Sequence, residues 1–485
     1  MKDRIRHGQR RRRSLRNLGR TFRIFVRRSG HPALERPPYR APDRGPAPLS
    51  DQTQGPRRPS PTANASRVRL PVSAATTTSY RHEVTALLLV TGATVIWALT
   101  HRRLRRIAVS GPLLMAVLGA IAGWFVTDES TLFFDSKAAL LVAEVVLALL
   151  LFVDAIDVKG PPGAALSAVP LRLLLIALPL SAACILAVGL ALPLGLSLPV
   201  IIAVTCIATP VDFSPETSII RDARIPARVR RWLSIESGYN DGLVTPVLLG
   251  ALALAAESAR PEQNALTTFL AAAPAGLIAL VVGAALGVGA GRLFRWARAA
   301  GWADGQSIRI GLLALPVLTF AVAVSVNGNG FVAAFVCGIA FRLARGRGWD
   351  DRSETPLVED VTSFLTLLLW FAFGLIGIIL ITGSVDWWPA LFLALFALTV
   401  GRIGPVLLAL LGTKTTRKDR LVIALLGPRG AASIVFGLIA FNALPSEDGF
   451  DVLAATGFVV GGSLLLHGIG GPLLIRRLYG AAERH

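Results

Sequence analysis

Residues 234–242 read Ser-Ile-Glu-Ser-Gly-Tyr-Asn-Asp-Gly, and an apolar run follows them to about residue 256. The pair Asn240 and Asp241 therefore lies in a stretch that is apolar enough to enter a bilayer. A carboxylate at bilayer depth costs at least ~2.5 kcal/mol on insertion scales, so it is retained where it faces a cavity, a charged partner or an ion path. Because an Asn-Asp pair has no use in apolar packing, we interpret Asp241 as the centre of an ion-transport site.

The composition of the whole chain agrees with a location in the membrane. Of its 485 residues, 53% are hydrophobic and 16% are charged. The apolar residues come in blocks of about 20, and a helix of that length spans the ~30 Å hydrocarbon core of a bilayer. The sequence therefore predicts an all-α polytopic membrane protein.

About thirteen transmembrane helices are predicted from residue 83 onward, and we treat residues 83–480 as one transmembrane domain. The predicted spans are residues 84–100, 108–126, 137–153, 166–191, 196–216, 233–256, 265–291, 306–326, 330–345, 358–382, 387–411, 419–442 and 451–475. Lys and Arg are concentrated in every second loop and again at Arg476 and Arg477. By the positive-inside rule these loops and the C-terminus lie in the cytoplasm, and we expect a multi-pass protein of the cell membrane.

Residues 1–80 are predicted to be a separate, disordered extension. They carry 19 Lys and Arg against 4 Asp and Glu, and they are rich in Pro and Ser. Such a segment has too little apolar surface to fold alone, and no nucleic-acid partner is expected. An odd number of spans places this basic extension outside, against the positive-inside rule. Two explanations stay open: translation begins later than Met1, which we favour, or the chain has one span fewer and an inverted first helix.

Two proline-containing motifs interrupt predicted spans. Residues 208–215 read Ala-Thr-Pro-Val-Asp-Phe-Ser-Pro, and residues 427–430 read Gly-Pro-Arg-Gly. Proline removes a helix N–H and clashes with the preceding turn, so both segments are expected to unwind. Two interrupted helices in the two halves of a chain are typical of inverted-repeat transporters, with the ion site where the helices cross. Asp212 precedes Asp241 by 29 residues, which lets two antiparallel helices bring both carboxylates to similar depth.

Other charged residues in the spans predict a structural ion pair. Glu236 and Asn240 are four residues apart and share a helix face, whereas Asp241 points about 100° away. Arg402 and Arg429 lie deep in later spans, and a guanidinium there needs a carboxylate or free carbonyl groups. We therefore pair Glu236 with Arg402 and leave Asp241 facing the ion.

Several of these motifs occur together in one known family. The stretch from Thr209 to Pro246, Arg402, the Gly-Pro-Arg-Gly motif and Leu-Leu-Leu-His-Gly at 464–468 resemble the NhaP-like branch of the monovalent cation:proton antiporters, the sodium/hydrogen exchangers. The resemblance covers residues 83–480. The combination of these motifs is specific for the family, although no single motif is. It implies a thirteen-helix inverted-repeat fold, a homodimer, and a six-helix core domain that moves against a dimerisation domain. It also implies a secondary transporter rather than an enzyme, with no cofactor besides the transported Na⁺ or K⁺ and H⁺.

The resemblance assigns roles to the residues around the Asn-Asp pair. Asp241 would bind a proton and a monovalent cation in turn, with Asp212 and Ser237 as further ligands. Asn240 would occupy the place that an aspartate takes in the electrogenic branch. Since Asn240 is neutral, we expect one proton to exchange for one cation without net charge movement.

The remaining assignments concern the surroundings of this site. Glu236 would pair with Arg402, and Arg429 would compensate the helix dipoles where the two broken helices cross. The family usually has Thr before the aspartate that matches Asp212, whereas Val211 stands here, and Thr209 is a weak candidate ligand. Asp154 matches the acidic residue of the family's third helix only loosely.

Other classes of function fit these motifs less well. A channel needs a continuous pore lined by rings of polar groups, and a non-transporting ion or pH sensor on the same fold stays an alternative. No Ser/Lys dyad, His-Glu-x-x-His motif or nucleotide-binding glycine motif is present, so we predict no enzyme. His467 is expected to be a hydrogen-bonded helix residue rather than a ligand. Selection among Na⁺, K⁺ and Li⁺ depends on cavity size and ligand number, which the sequence leaves open.

Overall fold

A computed structural model describes residues 74–106, 109–125, 137–158, 167–213, 222–258, 265–346, 354–382 and 387–480. Most of the predicted disordered extension lies outside these residues. The first described helix begins at Ala74, however, so residues 74–80 are helical and do not belong to that extension. The run Ala-Ala-Thr-Thr-Thr-Ser-Tyr at 74–80 contains neither Gly nor Pro, and nothing in it stops the helix of the first span from continuing backwards.

Every regular element in the described residues is helical, which confirms the predicted all-α fold. The helices are α1 (Ala74–Arg106), α2 (Gly111–Phe125), α3 (Lys137–Asp157), α4 (Ala168–Ala191), α5 (Leu198–Ala208), α6 (Ala227–Ser258), α7 (Ala265–Ala299), α8 (Gly305–Ser325), α9 (Gly330–Ala344), α10 (Pro356–Thr382), α11 (Trp387–Ala409), α12 (Arg417–Leu425), α13 (Ala431–Ala443) and α14 (Ser446–Tyr479). Helix α4 contains a π-turn at Leu173–Ala177, and a single residue, Thr399, interrupts α11.

The helices follow the predicted spans. Every predicted span overlaps a helix, and α12 and α13 share the span predicted at 419–442. Within the described residues, seven helices are long and apolar enough to cross a membrane, and four shorter apolar helices accompany them. Large apolar side chains such as Leu99 and Leu277 point outward, as expected for a surface in contact with lipid. The number of thirteen crossings stays a prediction.

Two helices stop where the proline motifs predicted a break. Helix α5 ends at Ala208, and residues 209–213 continue in a non-helical conformation. Helix α12 ends at Leu425, and residues 426–430 are non-helical before α13 begins. We call residues 209–213 the first crossing segment and residues 426–430 the second crossing segment. Pro210 and Pro428 lack the N–H that a continuing helix would need, so the backbone unwinds at both places.

Helix α6 runs beside the first crossing segment and is closely packed on α3. A β-carbon on Gly238 of α6 would lie only 2.8 Å from the carbonyl oxygen of Asp154 on α3. Glycine at this position therefore lets the two helices approach closely, as small residues do in membrane proteins. The backbone of Asp154 on α3 therefore lies beside Gly238, which precedes the Asn-Asp pair on α6 by two residues.

Candidate functional site

The two crossing segments meet inside the protein. The backbone N–H of Asp212 donates to the carbonyl of Pro428 across 2.8 Å, and the hydroxyl of Ser433 donates to the carbonyl of Ile207 across 2.8 Å. Both bonds connect elements that are more than 200 residues apart in sequence. They satisfy backbone groups that the interruption of the helices leaves without a helical partner.

Arg429 lies between the two breaks and is 1% exposed. Its Nε donates to the carbonyl of Ala208, the last residue of α5, and its Nη1 donates to the carbonyl of Gly427, each across 2.7 Å. The C-terminal end of a helix carries a partial negative charge, so the guanidinium stabilises the end of α5. Arg429 therefore lies at the helix crossing where the sequence predicts it.

The Asn-Asp pair of α6 faces the first crossing segment. The amide Nδ2 of Asn240 donates to the carbonyl of Val211 across 2.8 Å. Asp241 and Asp212 are 2% and 6% exposed, and Asn240 is fully buried. Among the described residues, Asp241 Oδ1 and Asn240 Oδ1 have no hydrogen-bond partner. Buried oxygen atoms normally have partners, so these two oxygens are acceptors that remain open beside the first crossing segment.

The hydroxyl groups of two other candidate ligands, Ser237 and Thr209, already take part in hydrogen bonds. The hydroxyl oxygen of Ser237 accepts from the backbone N–H of Phe213 across 3.3 Å, which connects α6 to the end of the first crossing segment. The hydroxyl of Thr209 donates to the carbonyl of Thr205 across 2.6 Å, so its proton is used inside its own helix end. Asp154, the weakest match from sequence, is within electrostatic range of both Asp212 and Asp241. Asp154 thus lies in the neighbourhood of the other two carboxylates, but among the described residues no three Asp, Glu, His or Cys side chains are close enough to hold one metal ion together.

Glu236, one turn before Asn240 on α6, forms an ion pair with Arg402. Both guanidinium nitrogens of Arg402 donate to the Glu236 carboxylate, at 2.8 Å to Oε1 and 3.1 Å to Oε2. Arg402 Nη2 also donates to the carbonyls of Ile423 and Leu426, at the end of α12. The two side chains are 3% and 5% exposed. This two-pronged geometry is the strong form of an Arg–carboxylate pair, and it joins α6, α11 and α12.

One feature of the site region did not follow from the sequence. Ser463 and His467 of α14 bind the backbone of the second crossing segment. The signal for this feature is a Ser and a His four residues apart in an otherwise apolar helix, which places both on one face.

Interrupted helices that cross around buried carboxylates define a class of secondary transporters. The chain belongs to the sodium/hydrogen exchanger family, because the family model described as "Sodium/hydrogen exchanger, transmembrane" matches residues 89–477. This match confirms the family that the motifs predicted. It includes both crossing segments, the Asn-Asp pair and Arg402.

Individual relatives are more distant. The K⁺/H⁺ antiporter NhaP of Alkalimonas amylolytica is 27% identical over 237 residues, which are 47% of this chain and 38% of that protein. A probable Na⁺/H⁺ antiporter of Schizosaccharomyces pombe is 25% identical over 191 residues, 37% of this chain and 22% of that protein. The matched regions thus span well under half the length of either relative.

A solved structure has the same fold. The sodium proton antiporter MjNhaP1 from Methanocaldococcus jannaschii is similar with a TM-score of 0.60 at 20% identity, over 82% of this chain and 99% of that one. A second structure of that antiporter, from electron microscopy, gives a TM-score of 0.58 at 21% identity. At this level of identity the likeness shows the fold alone.

Proposed function

We propose that the protein is a secondary active antiporter that exchanges a monovalent cation, Na⁺ or K⁺, for H⁺ across the cell membrane. It works by alternating access, and Asp241 binds the proton and the cation in turn. The observation that carries this proposal is the buried Asp241 carboxylate, whose Oδ1 has no hydrogen-bond partner among the described residues and which lies beside the helix crossing. Membership of the sodium/hydrogen exchanger family and the names of the two relatives support it.

The charges around Asp241 favour competition between the two ions. Asp241 is negative when it is empty, and either a proton or a monovalent cation neutralises it in a buried site. Asn240 stays neutral, and Arg429 keeps a fixed positive charge at the crossing. Asp212, Ser237 and Asn240 supply further oxygen atoms for a cation. We also propose that the protein is a homodimer with a cytoplasmic C-terminus, as the family resemblance and the loop charges imply.

The direct test replaces the exchanging carboxylate with its neutral isostere. Asp241→Asn is expected to insert and fold normally but to lose exchange, because an amide neither releases a proton nor neutralises a cation. Exchange is measured in proteoliposomes as dequenching of a pH-sensitive dye after Na⁺ or K⁺ is added. Asp157→Asn is the matched control, since Asp157 is an exposed carboxylate at the end of α3. Substantial exchange by a well-inserted Asp241→Asn protein would disprove the role of Asp241.

The stoichiometry gives a second test. If only Asp241 changes its protonation during the cycle, one cation displaces one proton and no net charge moves. Exchange of Na⁺ should then be insensitive to a membrane potential imposed with valinomycin and K⁺, and it should fall at low pH, where protons outcompete the cation. Two close carboxylates can share their titration, so Asp212 is the residue that would break this expectation. A clear change of rate with potential would mean that net charge moves in the cycle.

A further inference from the structure

The second crossing segment is bound by two side chains of α14 that the proposed exchange does not use. Ser463 is fully buried and His467 is 2% exposed. The backbone N–H of Gly427 donates to His467 Nε2 across 3.3 Å, and the backbone N–H of Arg429 donates to Ser463 Oγ across 2.6 Å. One face of α14 thereby satisfies two backbone donors that have no helical partner.

The partners of His467 determine which of its ring nitrogens carries hydrogen. The carbonyl oxygen of Ser463 lies 3.1 Å from Nδ1 and can only accept, so Nδ1 is the protonated nitrogen. The backbone N–H of Gly427 can only donate, so its bond requires an unprotonated Nε2; the carbonyl of Leu425 also lies near the ring. An imidazolium would lose the bond to Gly427, whose carbonyl also accepts from the guanidinium of Arg429. In this arrangement His467 is a neutral acceptor and not a charge carrier.

Gly427 contacts two helices of the site, α14 and α11, as well as Arg429 of its own segment. Its N–H binds His467 of α14, its carbonyl binds Arg429, and its α-carbon packs directly against the guanidinium of Arg402 from α11. Arg402 in turn is bound to Glu236 of α6. Because there is no side chain on Gly427 to anchor it, the backbone bond to His467 fixes its orientation.

The next residue transmits this constraint to the first crossing segment. The carbonyl of Pro428 accepts from the backbone N–H of Asp212 across 2.8 Å. The proline ring restricts the backbone angle φ of Pro428 to near −65°, so the direction of its Cα–C bond follows the peptide plane of Gly427, and the bond to Asp212 holds the carbonyl about that axis. A shift of Gly427 away from α14 would therefore displace the backbone of Asp212.

We propose that His467 is a positioning residue for cation binding. Its Nε2 fixes the Gly427–Pro428 segment, and the Pro428 carbonyl thereby holds Asp212 in the geometry that ligates the cation. This inference rests on the proposed function, since it takes Asp212 as a ligand of the transported ion. It assigns no proton transfer and no pH sensing to His467.

The test separates the hydrogen bond from the space that the ring fills. His467→Gln places an acceptor near the position of Nε2, whereas His467→Leu has none. Thr456→Val is the matched control, because Thr456 is a buried residue of α14 whose hydroxyl donates only to Val452 within the helix. Exchange is measured in proteoliposomes over a range of Na⁺ and of K⁺ concentrations, and it is normalised to folded protein.

We expect His467→Leu to raise the half-saturating cation concentration about tenfold or more while the maximal rate changes less. His467→Gln should stay within about threefold of the wild type, and Thr456→Val should match it. If the Leu variant does not fold, His467→Asn replaces it, since its amide reaches the Nδ1 position but not Gly427. A merely structural role would lower yield and melting temperature and leave the half-saturating concentration unchanged.

The outcomes distinguish this inference from the proposed function. A Leu variant with wild-type half-saturation, or a Gln variant as impaired as Leu, overturns the role of His467. Absence of exchange by the wild type overturns the proposed function instead. In that case His467 is tested without transport, by the rise in melting temperature that Na⁺ or K⁺ gives the detergent-solubilised protein. The rise should be smallest for His467→Leu and close to that of the wild type for His467→Gln and Thr456→Val. A wild type that neither exchanges nor is stabilised by either cation overturns both.

Discussion

The two crossing segments interrupt their helices in the same way but carry opposite charges. The first contributes a carboxylate, Asp212, and the second contributes a guanidinium, Arg429. The first is bound by α6, through Asn240 and Ser237, and α6 is the helix that also carries the proposed exchanging carboxylate, Asp241. The segment that offers ligands is therefore connected directly to the residue that binds the ion.

The second crossing segment is bound by other helices. Its backbone contacts Arg402 of α11 and two side chains of α14, and none of these is a proposed ion ligand. Its charge, on Arg429, is bound through Nε to the carbonyl of Ala208 at the end of α5. The comparison shows that the site has two parts. The ligand-bearing half is the first crossing segment together with α6, and the bracing half is the second crossing segment together with Arg402 of α11 and the two side chains of α14. Changes in the first half should impair exchange most, and changes in the second should also lower stability.

The largest expected effect on stability lies at the ion pair of Glu236 and Arg402, which joins α6 to the bracing half. Removing one member of a buried ion pair leaves an uncompensated charge, which costs ~3 to 5 kcal/mol. Glu236→Ala and Arg402→Ala should therefore each lower the melting temperature of the detergent-solubilised protein strongly. The double variant should recover part of the loss, because it leaves neither charge buried alone.

A double-variant cycle decides whether the two residues act as a pair. Coupled residues give a double loss that is smaller than the sum of the single losses, whereas independent residues add. Strict additivity would contradict the role of the pair in connecting α6 with α11 and α12. Asp241→Asn, by contrast, should leave the melting temperature near that of the wild type and abolish exchange, which is the pattern expected of the ligand-bearing half.

A smaller effect is expected from Gly427→Ala in the second crossing segment. A β-carbon there would collide with the side chain of Arg402, which is pinned between Glu236 and the end of α12. Overpacking of this kind typically costs ~1 to 3 kcal/mol, and the melting temperature should fall accordingly. Gly404→Ala is the control, because nothing lies within 4 Å of the added carbon in α11. Equal melting temperatures for the two variants would show that Arg402 has room to move.

Sequence patterns predicted much of the ligand-bearing half and less of the bracing half. Asp212 and Asp241 are conspicuous because carboxylates are rare in apolar spans, and Pro210 and Pro428 mark the breaks directly. The bond from Arg429 to the carbonyl of Ala208 and the bond from the N–H of Gly427 to His467 join residues that are 221 and 40 positions apart. No local periodicity encodes which backbone carbonyl or N–H such a side chain reaches.

The smallest expected effect concerns the turn before α6, outside the membrane-spanning segments, where Asp222 is bound by Arg224. Burial tends to raise the pKa of Asp222, but hydrogen bonds from the Arg224 side chain and backbone N–H, together with its charge, lower the pKa below its ordinary value. A carboxyl whose pKa is lowered by folding stabilises the protein above its unfolded pKa of ~3.9. That contribution is lost as the pH falls through the lower, folded pKa. Asp222→Asn should therefore lower the melting temperature slightly at pH 7, by less than ~1 kcal/mol of stability, since the pair is partly exposed.

The difference between wild type and Asp222→Asn should shrink as the pH falls below ~4, because the wild-type carboxyl is then protonated as well. Melting temperatures of both proteins between pH 7 and pH 3 in one detergent check this. Asp304→Asn is the control for removing a hydrogen-bonded carboxylate elsewhere in the protein. Asp304 caps the start of α8 and accepts from Ser307, far along the chain from α6. If Asp222→Asn alone also changed the exchange rate at pH 7, the turn before α6 would belong with the ligand-bearing half. An unchanged rate would limit that half to α6 and the first crossing segment.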